Sequence, residues 1–292
     1  MKKRHPVVYL LIALFLLILV SIYAISQEYH LPKISFVQKA SIATSVSTPT
    51  PTPFIFRSYT APIIEKKQVY KIVMIGDSMT AALGPHGGGL SDYMNSLYKK
   101  ITQDPQRIII DNYAKPSDIL AVNDELTKKT TISEYTFGPL LSEDFDLILV
   151  ESYGYNPLSQ FGIQGGLIQQ NLALDALMET LITTHPHVAI VFVATIAPNI
   201  ENYAKQTQPN RSAEDRAKTA EERITYIKNH IQYALSHNIP LINIYQKSLT
   251  ENGDGNMIYI NPTDDIHPSF VGIDLIDHEI GNFIYDNKIL PQ

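Results

Sequence analysis

The sequence predicts an α/β protein: a three-layer α/β/α sandwich built on a mainly parallel five-stranded sheet. Two observations carry this. Short, unbroken apolar runs recur along residues 67–292, as expected of strands covered on both faces rather than half-exposed ones. Between them lie stretches with helical spacing, and strand–helix alternation of this kind closes into parallel strands joined by right-handed crossovers. An apolar fraction of 45% over 292 residues is enough for a substantial core.

The chain begins with a short basic segment, residues 1–6, containing Lys2, Lys3 and Arg4. The apolar, uncharged run "VVYLLIALFLLILVSIYAI" follows, over residues 7–25. Its length matches the roughly 20 residues needed to cross a bilayer, which predicts one N-terminal transmembrane helix over 7–26. The basic residues before it place the N-terminus in the cytoplasm and the rest outside. Ala24-Ile25-Ser26 resembles a signal-peptidase site, so an anchor and a signal sequence both stand as readings. The first predicts a single-pass protein of the cell membrane, the second a secreted one if cleavage occurs.

Residues 27–66 read as a linker rich in Pro, Thr and Ser. Within it "SIATSVSTPTPTPF" cannot form a packed core and favours extended, polyproline-like chain. The folded domain is expected over 67–292. Strands are expected at 71–75, 107–111, 146–150, 188–194 and 241–244. The clearest helices are 166–184, 212–237 and a last one over 269–285. In the second of these Ile224, Ile227, Ile231 and Leu235 share a face, and Ser212 is placed to cap it.

Composition removes several function classes. With no cysteine there is no disulfide, thiolate metal site or cysteine nucleophile. Setting Lys2, Lys3 and Arg4 aside from the 23 basic residues leaves 20 against 29 acidic ones, without a basic stripe, so nucleic acid is not an expected partner. The histidines form no His-Glu-x-x-His pattern, and "GPHGGGL" is not followed by Gly-Lys-Ser/Thr. No metal or cofactor is expected.

Four segments fall directly after strands or near the C-terminus, where open α/β sheets bind ligands. Gly76-Asp77-Ser78 follows the first strand, and Ser78 there is either a helix cap or a nucleophile. "DNYAKPSDI" follows the second, and its backbone N–H groups can point toward Ser78, while Ser117 can equally cap a helix. "VESYGYNPL" follows the third; Asn156 before Pro157 suits a turn, and its amide can also donate to an oxyanion. In "NPTDDIHPSFVG", Asp264 stands three residues before His267 and can reach its Nδ1, with Asp265 as a competing carboxylate. His86, Tyr153 and Tyr155 flank these segments and read more simply as loop or packing residues. His185, His187 and His278 receive no role.

Taken together, these segments resemble the SGNH hydrolase superfamily, also called GDSL-like lipases and esterases, over about residues 71–285. The resemblance lies in Ile75-Gly76-Asp77-Ser78, Gly154-Tyr155-Asn156 and Asp264-Asp265-Ile266-His267-Pro268 with Gly272 beyond. Ser117 stands where the family has glycine, and Pro157 where Asp is common after Asn. The resemblance implies a flavodoxin-like fold and a Ser78, His267, Asp264 triad that forms an acyl-enzyme. It also implies an oxyanion hole made by Ser78, Ser117 and Asn156. The expected activity is hydrolysis of acyl esters on a glycan or a lipid. Two alternatives remain at this level: O-acyl transfer to a cell-surface glycan by the same triad, and a catalytically silent binding domain of the same fold.

Overall fold

The computed structural model describes residues 56, 58–99 and 106–292, so the expected anchor at 7–26 and most of the linker lie outside it. Among the described residues no helix is long and apolar enough to cross a membrane. The strands are β1 (Val69–Ile75), β2 (Arg107–Asn112), β3 (Thr130–Ile132), β4 (Tyr135–Phe137), β5 (Leu147–Glu151), β6 (Ala189–Ala194) and β7 (Leu241–Asn243). The helices are α1 (Ser78–Ala81), α2 (Gly88–Lys99), α3 (Val122–Thr127), α4 (Gly162–Thr184), α5 (Ala213–Ser236), α6 (Ile244–Lys247) and α7 (Phe270–Asp286).

Five strands form one parallel sheet in the order β2-β1-β5-β6-β7, with Ile72 opposite both Ile110 and Leu147 and Val150 opposite Phe192. Every residue of β5 and β6 is buried, which explains why those strands read as continuous apolar runs. Alternation along β1 sends Ile72 and Met74 to one face, where Leu90 and Met94 of α2 and Ile276, Ile280 and Ile284 of α7 cover them. Val73 and Ile75 face the other way, into Leu174, Leu177 and Met178 of α4 and Tyr233 of α5. Truncating a side chain such as Ile72 to Ala costs about 2–5 kcal/mol, because both layers hold their neighbours in place.

The helix starts follow local chemistry. Ser212 accepts the Asp215 N–H at 3.1 Å and donates its hydroxyl to Asp215 Oδ2 at 2.7 Å, closing the first turn of α5. Ser269 does the same work for α7 through Gly272 N–H at 3.0 Å. The sheet starts at β1 and grows in both directions, to β2 on one side and to β5, β6 and β7 on the other. In open α/β sheets the ligand crevice lies where the strand order reverses, here beyond the carboxyl ends of β1 and β5, which is where Ser78 and Asn156 lie.

Three features depart from the expectations. The linker expected to run to residue 66 ends earlier: Phe56, Tyr59 and Ile64 are buried in the domain core. Tyr59 N–H donates to His237 O at 2.7 Å, and its hydroxyl accepts the Ile190 N–H at 2.8 Å. That segment has no regular secondary structure, as its composition suggests, but its few apolar side chains have slots to fill. Second, a helix not expected from the sequence, α2, begins inside "GPHGGGL" at Gly88, after Gly87 turns the chain at φ +71°. Third, the antiparallel pair β3–β4, with Thr131 opposite Thr136, is an insertion that no periodicity announced.

Candidate active site

Gly76 ends β1 against Glu151, whose Cβ would stand 2.6 Å from any Cβ at position 76, so only glycine brings these two strand ends so close. Asp77 then caps α1: its Oδ1 accepts the Met79 N–H at 2.9 Å, while its own N–H donates to Glu151 Oε2 at 3.1 Å. The other oxygen, Oδ2, accepts the Tyr155 N–H at 3.0 Å and so ties the serine turn to the loop after β5. Ser78 is both the first residue of a short helix and a partly exposed hydroxyl at the crevice.

His267 reaches that hydroxyl from a loop 189 residues away, with Nε2 3.1 Å from Ser78 Oγ. Its Nδ1 lies 2.9 Å from Asp264 Oδ2. Asp264 Oδ1 accepts the N–H groups of Ile266 and His267 at 2.8 and 3.0 Å, so the carboxylate is oriented by its own turn. Burial pushes the Asp264 carboxyl up, but the imidazole and the two backbone donors outweigh it and hold the group below the usual carboxylate range. A proton on Nδ1 is thereby fixed toward Asp264, which leaves Nε2 to accept from Ser78. Of the two adjacent carboxylates only Asp264 faces the ring. Asp265, at φ +56°, accepts the Gln206 N–H at 3.1 Å.

The loop after β2 is pinned beside the serine. Asn112 Nδ2 donates to Thr80 O and Gly84 O at 2.8 and 3.0 Å, and Lys115 N–H donates to Gly76 O at 3.2 Å. Ser117 follows, its hydroxyl directed to Lys115 O at 3.3 Å and Glu125 Oε1 at 3.2 Å and not to Ser78. After β5, Tyr153 takes up φ +52° and its carbonyl accepts the Asn156 N–H at 3.2 Å. A Cβ on Gly154 would stand 2.3 Å from Ile227 of α5, so this turn packs flush against that helix. Asn156 itself is partly exposed at the crevice.

Beneath the serine lie two buried carboxyl groups that sequence reasoning passed over. Glu151, the last residue of β5, is raised well above the ordinary range by burial and then by the Asp77 charge. Asp77 is raised too, by burial, against the hydrogen bonds of Met79, Tyr155, Glu151 and Asn156. Both carboxyls of this neighbouring pair are therefore held above the ordinary range. The Ser152 hydroxyl bonds Glu151 Oε1 as well. A carboxylate ending an apolar strand beside Gly-Asp-Ser was the available signal.

The flanking residues behave as packing groups. Tyr155 is buried, with its hydroxyl on Ile196 O at 3.3 Å. His86 lies edge-on to Tyr135 of the hairpin with ring centroids 4.6 Å apart. His185 stacks on Phe145 and His278 Nδ1 bonds Asp274 O.

No family model and no curated protein matches the chain. Solved structures do. A lipase/acylhydrolase from Enterococcus faecalis is 16% identical; the match covers 75% of this chain and 96% of that one, with a TM-score of 0.50. A GDSL-like lipase from Bacteroides thetaiotaomicron is 15% identical over 74% of this chain and 88% of that one, at a TM-score of 0.46. At such identities the likeness is one of fold.

Proposed function

We propose that this chain, which has the fold of the SGNH (GDSL-like) hydrolases, is a serine esterase. One contact carries the reading: Ser78 Oγ lies 3.1 Å from His267 Nε2, whose other nitrogen is held by Asp264. Ser78 attacks the ester carbonyl as His267 takes its proton, and Asp264 stays ionised and stabilises the imidazolium. The backbone N–H groups of Ser78 and Ser117 and the Asn156 amide receive the oxyanion, each worth on the order of 10²–10³ in rate. His267 then protonates the departing alcohol, leaving the acyl group on Ser78. Water attacks that ester and gives its proton to His267, which passes it to Ser78 Oγ as the acid departs.

The substrate we infer is an acyl ester on a glycan or a lipid, met outside the cell. The charge-free run at 7–25 behind Lys2, Lys3 and Arg4 supports anchorage in the cell membrane with residues 67–292 on the outer side. The test is acid release from p-nitrophenyl acetate and longer-chain esters by the full chain in detergent, beside Ser78→Ala. The substitution should remove turnover by about 10⁴-fold or more. Turnover that appears only with a sugar acceptor would instead assign acyl transfer. Equal rates in both proteins would refute the serine mechanism.

A further inference from the structure

Glu125 occupies a position where an apolar side chain is expected. It lies on α3 with Val122 and Leu126 on the inner side of the helix, and it is 0% exposed. Among the described residues no Lys or Arg forms an ion pair with it, although a buried carboxyl is costly unless it is hydrogen-bonded. Its partners are two hydroxyls. Ser117 Oγ lies 3.2 Å from Oε1, and Tyr153 OH lies 2.9 Å from Oε2.

These two hydroxyls belong to the two loops that carry oxyanion donors other than Ser78. Ser117 stands at the end of the loop after β2. Tyr153 opens the turn after β5, and its carbonyl holds the Asn156 N–H at 3.2 Å. Tyr153 is itself in the left-handed region at φ +52°, an unfavourable conformation for a residue with a Cβ, so something must hold it there. Its hydroxyl on Glu125 and its N–H on Glu151 Oε2 at 3.2 Å are the bonds that do so.

We propose that Glu125 is a positioning residue that sets the spacing between Ser117 and Asn156 by bridging their loops; this rests on the esterase reading given above. Glu125 does not reach the crevice. Its carboxyl carries the bridge whether ionised or protonated, because serine and tyrosine hydroxyls both donate and accept. Burial pushes the group up to about 7, against the hydrogen bond from Tyr153, the charge of Lys115 and the hydrogen bond from Ser117, with the Asp77 charge adding to the rise. Displacing an oxyanion donor by a fraction of an ångström weakens the transition state more than the bound ester, so the effect belongs in kcat.

The experiment compares full-length wild type with Glu125→Leu, Glu125→Gln and Tyr153→Phe on a p-nitrophenyl ester, with rates expressed per active site titrated by a fluorophosphonate. Binding of a trifluoromethyl ketone of matching acyl chain, a mimic of the tetrahedral state, is measured in parallel. Glu125→Leu should lower kcat about 10²-fold with KM within about threefold, and weaken the ketone by a similar factor. Glu125→Gln, which can accept from one hydroxyl and donate to the other, should stay within about fivefold of wild type. Tyr153→Phe, which removes one arm of the bridge, should lose about tenfold in kcat. If Glu125→Leu does not fold, Tyr153→Phe and Glu125→Gln decide the matter. Unchanged kcat in Tyr153→Phe or Glu125→Leu overturns the proposal, and so does a Glu125→Gln as impaired as Glu125→Leu. A wild type that turns over no ester refutes the esterase reading, whereas an active wild type beside an unaffected Glu125→Leu refutes this inference alone.

Discussion

Asp265 accepts the backbone N–H of Gln206 at 3.1 Å, and its own carbonyl accepts the Ala204 N–H at 3.1 Å. The carboxylate next in sequence to Asp264 is therefore a fastener for the 199–211 loop. Asp264→Asn should lower kcat by about 10³–10⁴-fold, because the amide no longer fixes the imidazole tautomer. Asp265→Asn should stay within about tenfold in kcat and show its effect in thermal stability or ester preference. Steady-state kinetics on the two variants side by side decide this; a reversed order would move the role to Asp265.

Asn156 offers a second check on the crevice. Its turn is set by backbone bonding and by the close fit of Gly154 to Ile227, so Asn156→Ala keeps the turn while removing the amide and the hydrogen bond it gives Asp77. The expected loss is about 10²–10³ in kcat with KM little changed. A purely structural asparagine would instead lower the melting temperature and leave kcat per titrated site intact.

The pH dependence of stability follows from Glu125. Its folded carboxyl is pushed up to about 7 by burial, whereas an unfolded glutamate titrates near about 4.3. The folded chain thus keeps a proton that the unfolded chain has already released. This contribution to stability is complete below about pH 4.3 and is lost as pH rises to about 7, on the order of 3 kcal/mol in all. Asp264, held low, works in the opposite sense: its contribution is present above the unfolded value and is lost in acid. Urea midpoints of wild type should therefore fall relative to Glu125→Gln between pH 5 and 8. Parallel curves for the two proteins would contradict a raised Glu125.

Phe56 and residues 58–66 belong to the folded unit in energetic terms. Burying Phe56, Tyr59 and Ile64 is worth roughly 1.5–3 kcal/mol for each side chain. A chain cut to begin at residue 67 should therefore melt well below one beginning at residue 54, by ten degrees or more on the order-of-magnitude scale for a domain of this size. Calorimetry on the two chains measures it, and equal melting temperatures would mean that the segment only rests on the surface.

The parallel sheet was legible because burial on both faces writes itself as unbroken apolar runs: "LILV" and "AIVFVA" have no other economical reading. Ser212 could be read as a cap because capping needs only a hydroxyl at a helix start, and the same chemistry at Ser269 shows in the structure. The β3–β4 pair was not, since "TTISEYTF" holds few apolar residues and gains its partners only from the surrounding fold. At the site, the spacing Asp264-x-x-His267 suggested the contact that the structure has, while Ser78 and His267 could be joined only through a resemblance. Glu125 left no trace: in "VNDELT" a glutamate on a short polar helix looks solvent-facing, and only the two hydroxyls converging on it show otherwise.

The bonds of Tyr59 also have a mechanical meaning. All five parallel strands begin at the end of the sheet opposite Ser78, and Tyr59 is fastened there by His237, Asn238, Val188 and Ile190. Tension entering at residue 56 would meet the buried Phe56, stacked on His237, and then those four bonds, all far from Ser78. A pull applied to the domain at Tyr59 would thus act on the strand starts, at the end of the sheet opposite Ser78.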